Sequence, residues 1–125
     1  MNRVLWMLGS KGFCLLKERE RLSIWVSMKA ADLAQSAIDD MQPSIGLGAV
    51  GECLWYARAG QWDKAHDLCQ HLPGKAGSWI HAWLHREEGD LENASYWYSR
   101  AGKDMPNKKV TLQDEWMAMT DELLG

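Results

Sequence analysis

A glycine and an alanine that recur together at a fixed spacing constrain the fold of this chain more than any other feature. Gly60 and Gly89 are 29 positions apart, and so are Ala65 and Ala94. Glycine can adopt the positive φ of a tight turn, and alanine lets two helices approach closely. The same offset pairs residues of similar character nearby: Trp62 with Leu91, Asp63 with Glu92, Leu68 with Trp97, and Cys69 with Tyr98. The pattern predicts two similar helical hairpins in succession.

Helical spacing of apolar residues predicts six helices. They cover residues 29–41, 44–59, 62–72, 78–88 and 91–102, with a last helix that begins at Thr111. Thr111 is a suitable N-cap residue with an acidic side chain three places on. The apolar stripe of this helix is Leu112, Trp116, Met119 and Leu123. No window alternates polar and apolar residues, so we predict an all-α fold.

The second hairpin resembles a known repeat family. The string EGDLENASYWYSRAGKDMP, residues 88–106, resembles the second half of a tetratricopeptide repeat, and GQWDKAHDLCQHLP is similar to a weaker copy. In this register Gly89 takes the turn, Ala94 the helix crossing and Tyr98 the large core position. Residues 81–102 also resemble an HAxLHRxEGDxxNAxYWYxRAG-type segment of small bacterial proteins of unknown function. The resemblance implies a short tetratricopeptide-like α-solenoid of antiparallel hairpins, with capping helices on either side.

The domain boundary is predicted near Met28, where a clean amphipathic segment opens. We expect residues 28–125 to form a single helical repeat-like domain, and residues 1–27 to be an N-terminal extension that joins it poorly. A start codon assigned too early is a hypothesis for this extension. The chain offers no room for a separate catalytic domain.

Composition argues against several classes of partner. The net charge of −3 and the pI of about 5.8 provide no basic field, so we expect no nucleic-acid binding. No apolar run reaches the roughly 18 residues that span a bilayer, so we expect no membrane insertion. The three cysteines, Cys14, Cys53 and Cys69, are odd in number and lack CxxC spacing, which favours a reducing compartment and therefore the cytoplasm.

The glycine-rich string GLGAVG, residues 46–51, matches the dinucleotide-binding pattern GxGxxG. That chemistry needs a preceding buried strand, so that backbone N–H groups and a helix N-terminus face the pyrophosphate. The preceding IDDMQPS contains the end of a helix and a proline instead. We therefore interpret the glycines as close helix contacts and expect no cofactor.

His81 and His85 are four residues apart, so they share one helix face and could bind one metal ion. A zinc site needs a third ligand, and the candidates are Glu88, Asp90, His66 and His71. The repeat register turns both histidines towards the partner helix near Tyr98, which favours hydrogen-bonded core histidines over a metal site. We keep both interpretations and predict no metal.

A second stripe on the same helix is rotated away from the histidines. Trp79, Trp83 and Arg86 fall at i, i+4 and i+7. In tetratricopeptide proteins the first helix of each hairpin lines a concave groove, and the resemblance places these three residues there with Leu54 and Arg58. Such a groove suits a peptide or an acidic chain end. The alternative is packing against a neighbouring helix.

A further polar and aromatic surface is predicted on the helix after Gly89. Asn93, Tyr96 and Arg100 follow helical spacing around Trp97, and this surface suits a small ligand or a carbohydrate. The commoner alternative is an arginine side chain that simply lies over aromatic surface. The leading functional prediction is nevertheless a non-catalytic module that binds a protein or peptide in the groove, with its oligomeric state open. The alternative is a metal-dependent or small-ligand-binding enzyme centred on His81 and His85.

Overall fold

The computed structural model describes residues 30–125, and these residues fold into helices without a strand. The helices are α1 (residues 30–39), α2 (Gly48–Arg58), α3 (Trp62–Cys69), α4 (Gly74–Glu87), α5 (Leu91–Ala101) and α6 (Leu112–Leu124). The all-α prediction is confirmed for this part of the chain. None of its helices is both long and apolar enough to cross a membrane. The predicted extension 1–27, its boundary and Cys14 lie outside the described residues.

Two helices begin away from their predicted positions. The helix predicted from residue 44 begins at Gly48, because Gly46 and Gly48 both take positive φ, at 95° and 81°. The helix predicted from residue 78 begins at Gly74, directly after the extended Pro73. A loop and helix α1, not a strand, precede the GxGxxG string within the described residues. The dinucleotide interpretation therefore has no structural support there.

The two predicted turns close α2 on α3 and α4 on α5. Gly60 and Gly89 have φ values of 82° and 89°, in the left-handed region that favours glycine. Each turn carries the paired hydrogen bonds of a Schellman motif. At the second turn, Gly89 N donates to Arg86 O at 3.1 Å and Asp90 N donates to His85 O at 2.9 Å. Local sequence thus ends α2 and α4 sharply enough to form hairpins.

The paired positions of the two hairpins have matching environments. Ala65 and Ala94 are completely buried where α3 packs on α2 and α5 packs on α4. Cys69 and Tyr98 are also buried one turn further on. Residues that the 29-residue offset pairs in the sequence are therefore buried to a similar degree in the structure.

Helix α6 packs across α2 and α4 and completes the core. Its N-cap is the predicted one, since the Thr111 hydroxyl accepts from Asp114 N at 3.0 Å. Trp116 and Met119 are fully buried, and the Trp116 indole donates to Leu54 O at 3.0 Å. The last helix is thus a central packing element that bridges both hairpins.

Candidate functional site

The predicted groove residues lie beneath α6. Leu54 is 0% exposed, Trp83 3% and Trp79 8%. Trp83 Nε1 donates to Leu112 O at 2.9 Å, and the Arg58 guanidinium lies 6.0 Å from the Trp116 ring centroid. Helix α6 packs over this surface, and Leu54, Trp79 and Trp83 are buried beneath it.

A buried carboxylate holds α6 in this position. Glu115 is 5% exposed and accepts hydrogen bonds from the Tyr98 hydroxyl at 2.7 and 2.6 Å. Trp79 Nε1 donates to it at 3.2 Å, and Arg86 Nη1 at 2.9 Å. A further Arg86 nitrogen donates to Val110 O. Three donors from two helices therefore compensate the desolvation of one acidic side chain.

This network also changes the expected surroundings of the histidines. Tyr98 donates to Glu115, and burial together with this bond raises the pKa of Tyr98 well above its usual value. Among the described residues, the Tyr98 hydroxyl is hydrogen-bonded to Glu115, not to His81 or His85. His81 and His85 are buried, each 6% exposed, but they face α3 and Trp97.

His81 and His85 meet His66 of α3 in a compact cluster. One nitrogen from each of the three imidazoles lies within 4.8 Å of the others. The His81 and His85 rings are stacked with centroids 4.8 Å apart, while the His66 ring meets His81 edge-on at 4.5 Å. His66 was one of four candidate third ligands. Because α3 packs on α4, His66 is the candidate that lies beside both His81 and His85.

Neighbouring side chains orient the imidazoles. Glu88 Oε2 lies 2.7 Å from His85 Nδ1, which leaves Nε2 of that ring for another partner. The Gln70 amide lies 2.9 Å from His66 Nδ1. His81 stacks on Trp97 at a centroid distance of 3.9 Å. Two of the three rings thus have a polar side chain within hydrogen-bonding distance of one nitrogen.

The electrostatic environment favours neutral imidazole at His66. Burial and the adjacent His81 lower the pKa of His66. Neutral imidazole is the form that binds metals. Two thiols, Cys53 and Cys69, also lie near the cluster. Cys53 donates to Ala65 O at 3.3 Å. Its hydrogen bond with Cys69, together with burial, raises the pKa of Cys53. Cys69 lies beside His81, at the wall of the cluster.

The cluster opens into a cleft of about 840 Å³, which we call the histidine cleft. Its walls are formed by α3, α4 and α5, and the side chains that matter below are Trp62, His66, His81, His85, Asn93, Trp97 and Arg100. Asn93 and Arg100 belong to the predicted secondary surface. The structure therefore joins that surface to the histidines, while the third predicted member, Tyr96, stays exposed beside Arg100.

Sequence reasoning placed Trp97 beside Asn93 and Arg100 but missed Trp62, the other aromatic wall of this cleft. Trp62 stacks on His66 with centroids 4.6 Å apart, and its indole donates to Leu84 O at 2.8 Å. A second group of ligating side chains, His85 with Glu88 and Asp90, extends from the same histidine towards solvent. The sequence does indicate this wall, because Trp62, His66 and Cys69 follow helical spacing and therefore share one face of α3.

Comparisons with protein-family models, with curated proteins and with solved structures found no match. The residues of the histidine cleft must therefore carry the functional argument.

Proposed function

We propose that this protein binds a divalent transition-metal ion through His66, His81 and His85. The observation that carries the proposal is the convergence of three imidazoles from two helices at one cleft. Three histidine ligands with an open fourth position form an established zinc arrangement, and imidazole also suits copper and nickel. The metal-binding alternative predicted from His81 and His85 thus gains His66 as a third ligand.

The geometry of the cluster is compatible with this ion after a small movement. Zinc–nitrogen distances of 2.0–2.1 Å in a tetrahedron require nitrogens about 3.4 Å apart. The present separations, up to 4.8 Å, therefore need to shorten by at most about 1.4 Å. Rotation of the half-buried His66 can supply this movement, because its ring is not enclosed as tightly as those of His81 and His85.

The hydrogen bond between Glu88 and His85 supports the same proposal. Glu88 holds His85 through Nδ1, an arrangement that directs Nε2 to a metal and increases its basicity. At His66 the contact has the other sense, since the Gln70 amide nitrogen lies 2.9 Å from Nδ1 and donates to that nitrogen of the neutral ring. The fourth coordination position would face the cleft, where water or a ligand could enter.

Metal binding is tested by titrating Zn²⁺ or Co²⁺ into untagged full-length protein freed of metal. We expect one ion per chain by native mass spectrometry. His66→Gln should weaken affinity by more than about 100-fold, since the loss of an outer-shell partner alone costs about 10- to 100-fold. Glu88→Gln should fall within that outer-shell range.

The chain offers a matched control in His71, the exposed histidine outside the cluster. His71→Gln should bind the ion like the unchanged protein. Equal weakening of His66→Gln and His71→Gln would contradict the proposal, as would the absence of a stoichiometric ion in the unchanged protein. Circular dichroism of each variant separates a lost ligand from a lost fold.

We also propose that the two hairpins are successive units of a tetratricopeptide-like stack. Equivalent burial of Ala65 and Ala94, and the matching turns at Gly60 and Gly89, support this arrangement. In such a stack the histidine cleft would open between the two units, because its walls are α3 of the first unit and α4 and α5 of the second. An experimental structure with a different order of helix contacts would refute it.

Partner binding through Leu54, Arg58, Trp79, Trp83 and Arg86 stays a prediction. A partner would have to displace α6 and replace the carboxylate that Arg86 and Trp79 now share. A labelled peptide with the sequence of residues 107–125 tests this exchange by fluorescence anisotropy. Binding to a Glu115→Gln variant, but not to the unchanged chain, would support a groove that accepts helices; no binding to either would oppose it.

A further inference from the structure

Two free thiols meet in the first hairpin. Cys53 lies on α2, and Cys69 is the last residue of α3. A hydrogen bond between the side chains joins the two thiols. Cys53 Sγ also lies 3.3 Å from Ala65 O, and Cys69 Sγ lies 3.2 Å from His66 O. Because these two carbonyls belong to consecutive residues of α3, they hold the sulfur atoms side by side.

Packing alone does not require sulfur at these two positions. A buried free cysteine commonly serves as a small hydrophobic residue. The 29-residue offset pairs Cys53 with Ala82 and Cys69 with Tyr98, and both partners are buried in the second hairpin. The equivalent core positions therefore accept side chains without a thiol, and the first hairpin has two thiols in contact where the second has none.

One of the two thiols can be reached from the histidine cleft. Cys69 forms part of the cleft wall, although 3% of the residue is exposed. Cys53 is 0% exposed and lies outside that wall. A reagent little larger than water therefore meets Cys69 first, and Cys53 is placed to react with the product. A reactive cysteine beside a second, resolving cysteine is a common arrangement for reversible oxidation.

We propose that a hydroperoxide oxidises this pair to a disulfide between Cys53 and Cys69, so that the first hairpin is a site of reversible thiol modification. In the first step Cys69 Sγ bonds to one oxygen of hydrogen peroxide, the O–O bond breaks, and the departing hydroxide takes the thiol proton to become water. In the second step Cys53 Sγ attacks the sulfur of the sulfenic acid, and the S–O bond breaks. The hydroxide that leaves takes the Cys53 proton as a second water, so two sulfurs are oxidised and two peroxide oxygens are reduced.

The bond requires the two sulfur atoms to approach to an S–S distance of about 2.0 Å. Cys69 can supply this movement, because it ends α3 and the chain leaves the helix at Gln70. The disulfide would join α2 to α3 across the turn at Gly60. A dithiol reductant would reverse the reaction by thiol–disulfide exchange.

Intact mass and peptide mapping of the untagged full-length protein test the inference. The protein is reduced, freed of reductant, kept in a chelator and then treated with hydrogen peroxide. We expect each chain to lose two hydrogen atoms and to regain them with dithiothreitol. Arg58 and Lys64 lie between the two cysteines, so trypsin places them in separate peptides that stay joined through the disulfide. Because the chelator removes metal ions, the result does not depend on the metal centre proposed above.

Cys14→Ser is the matched control, since Cys14 is the third cysteine of the chain and lies outside the described residues. This variant should form the same disulfide to the same extent. Cys53→Ser should instead leave Cys69 as a sulfenic acid that dimedone traps. A linked peptide that contains Cys14 would overturn the inference. So would the absence of a linked peptide joining Cys53 to Cys69 in the unchanged protein, a result that holds even if Cys53→Ser does not fold.

Discussion

Replacing Glu115 with glutamine should destabilise the protein severely, although the two side chains are nearly the same size. The carboxylate accepts from Tyr98, Trp79 and Arg86 through both of its oxygens. Glutamine keeps one acceptor oxygen and introduces an NH₂ group, which must face a donor. At least one buried donor then loses its partner, and Arg86 loses its counter-charge.

The structure sets the magnitude. Breaking a buried ion pair by removing one partner costs about 3–5 kcal/mol. The Arg86 side chain is 13% exposed, so water can partly compensate its charge and the low end applies. We expect Glu115→Gln to lower the free energy of unfolding by about 3 kcal/mol. For a domain of this size this corresponds to a fall in Tm of roughly 12–24 °C.

The assay is urea unfolding followed by tryptophan fluorescence, with Glu122→Gln as the control. Glu122 pairs with Lys103 at 2.8 Å, but 58% of its side chain is exposed, so its loss should cost no more than about 1 kcal/mol. A double-mutant cycle of Glu115→Gln with Tyr98→Phe should show a coupling of at least about 1 kcal/mol. Equal small losses for the two glutamine variants, or strictly additive effects in the cycle, would refute the proposed role of Glu115.

Three further predictions follow from the core. Ala94→Leu should overpack the helix crossing and cost about 1–3 kcal/mol, whereas the same change at the exposed Ala118 should be nearly neutral in urea unfolding. Thr120→Val should raise the unfolding free energy by about 1 kcal/mol, because the buried Thr120 hydroxyl has no hydrogen-bond partner among residues 30–125; unchanged or lower stability would contradict this. Burial raises the pKa of Tyr98, so the folded chain keeps a proton that the unfolded chain loses above about pH 10. Stability should therefore fall with rising pH there, by up to about 1.4 kcal/mol per pH unit, and less steeply in Tyr98→Phe; parallel pH profiles would contradict the assignment.

The hairpins were predictable because their determinants are local. Gly60 and Gly89 end helices through backbone conformations that other residues adopt at a cost, and Ala65 and Ala94 mark close crossings within a few residues of them. The late start of α2 was harder to predict from the sequence. The string before it has helical apolar spacing, but Gly46 takes a positive φ that an α-helix does not accommodate, and the helix begins at Gly48.

The position of α6 could not be predicted because it depends on contacts distant in sequence. The stripe containing Trp116 and Met119 correctly indicated a buried face. Glu115 beside it looks like a solvent-exposed residue, since a lone acidic side chain does not become buried without partners. Its donors are supplied by α4 and α5, and no short sequence window contains both sides of that network.

The division of α4 into two faces was predictable, but the use of each face was not. At about 100° per residue, the adjacent His85 and Arg86 must point in different directions. The structure confirms this separation: His85 joins the cleft while Arg86 joins Glu115. The sequence assigned the arginine side to an open groove and the histidine side to the core, because it could not show which neighbour covers each face.

The same arrangement determines which part of the proposed metal centre must move. His81 and His85 are one turn apart on α4, which is enclosed by packing on both faces and tied to α6 through Arg86. Their separation is therefore fixed by the helix. His66 lies on α3, whose regular part ends three residues later at Cys69, and its ring is only half buried. In the proposed metal centre the shortening would therefore fall mainly on His66, whose side-chain rotation and position on α3 would set the metal affinity, while α4 would supply a closely held pair of ligands.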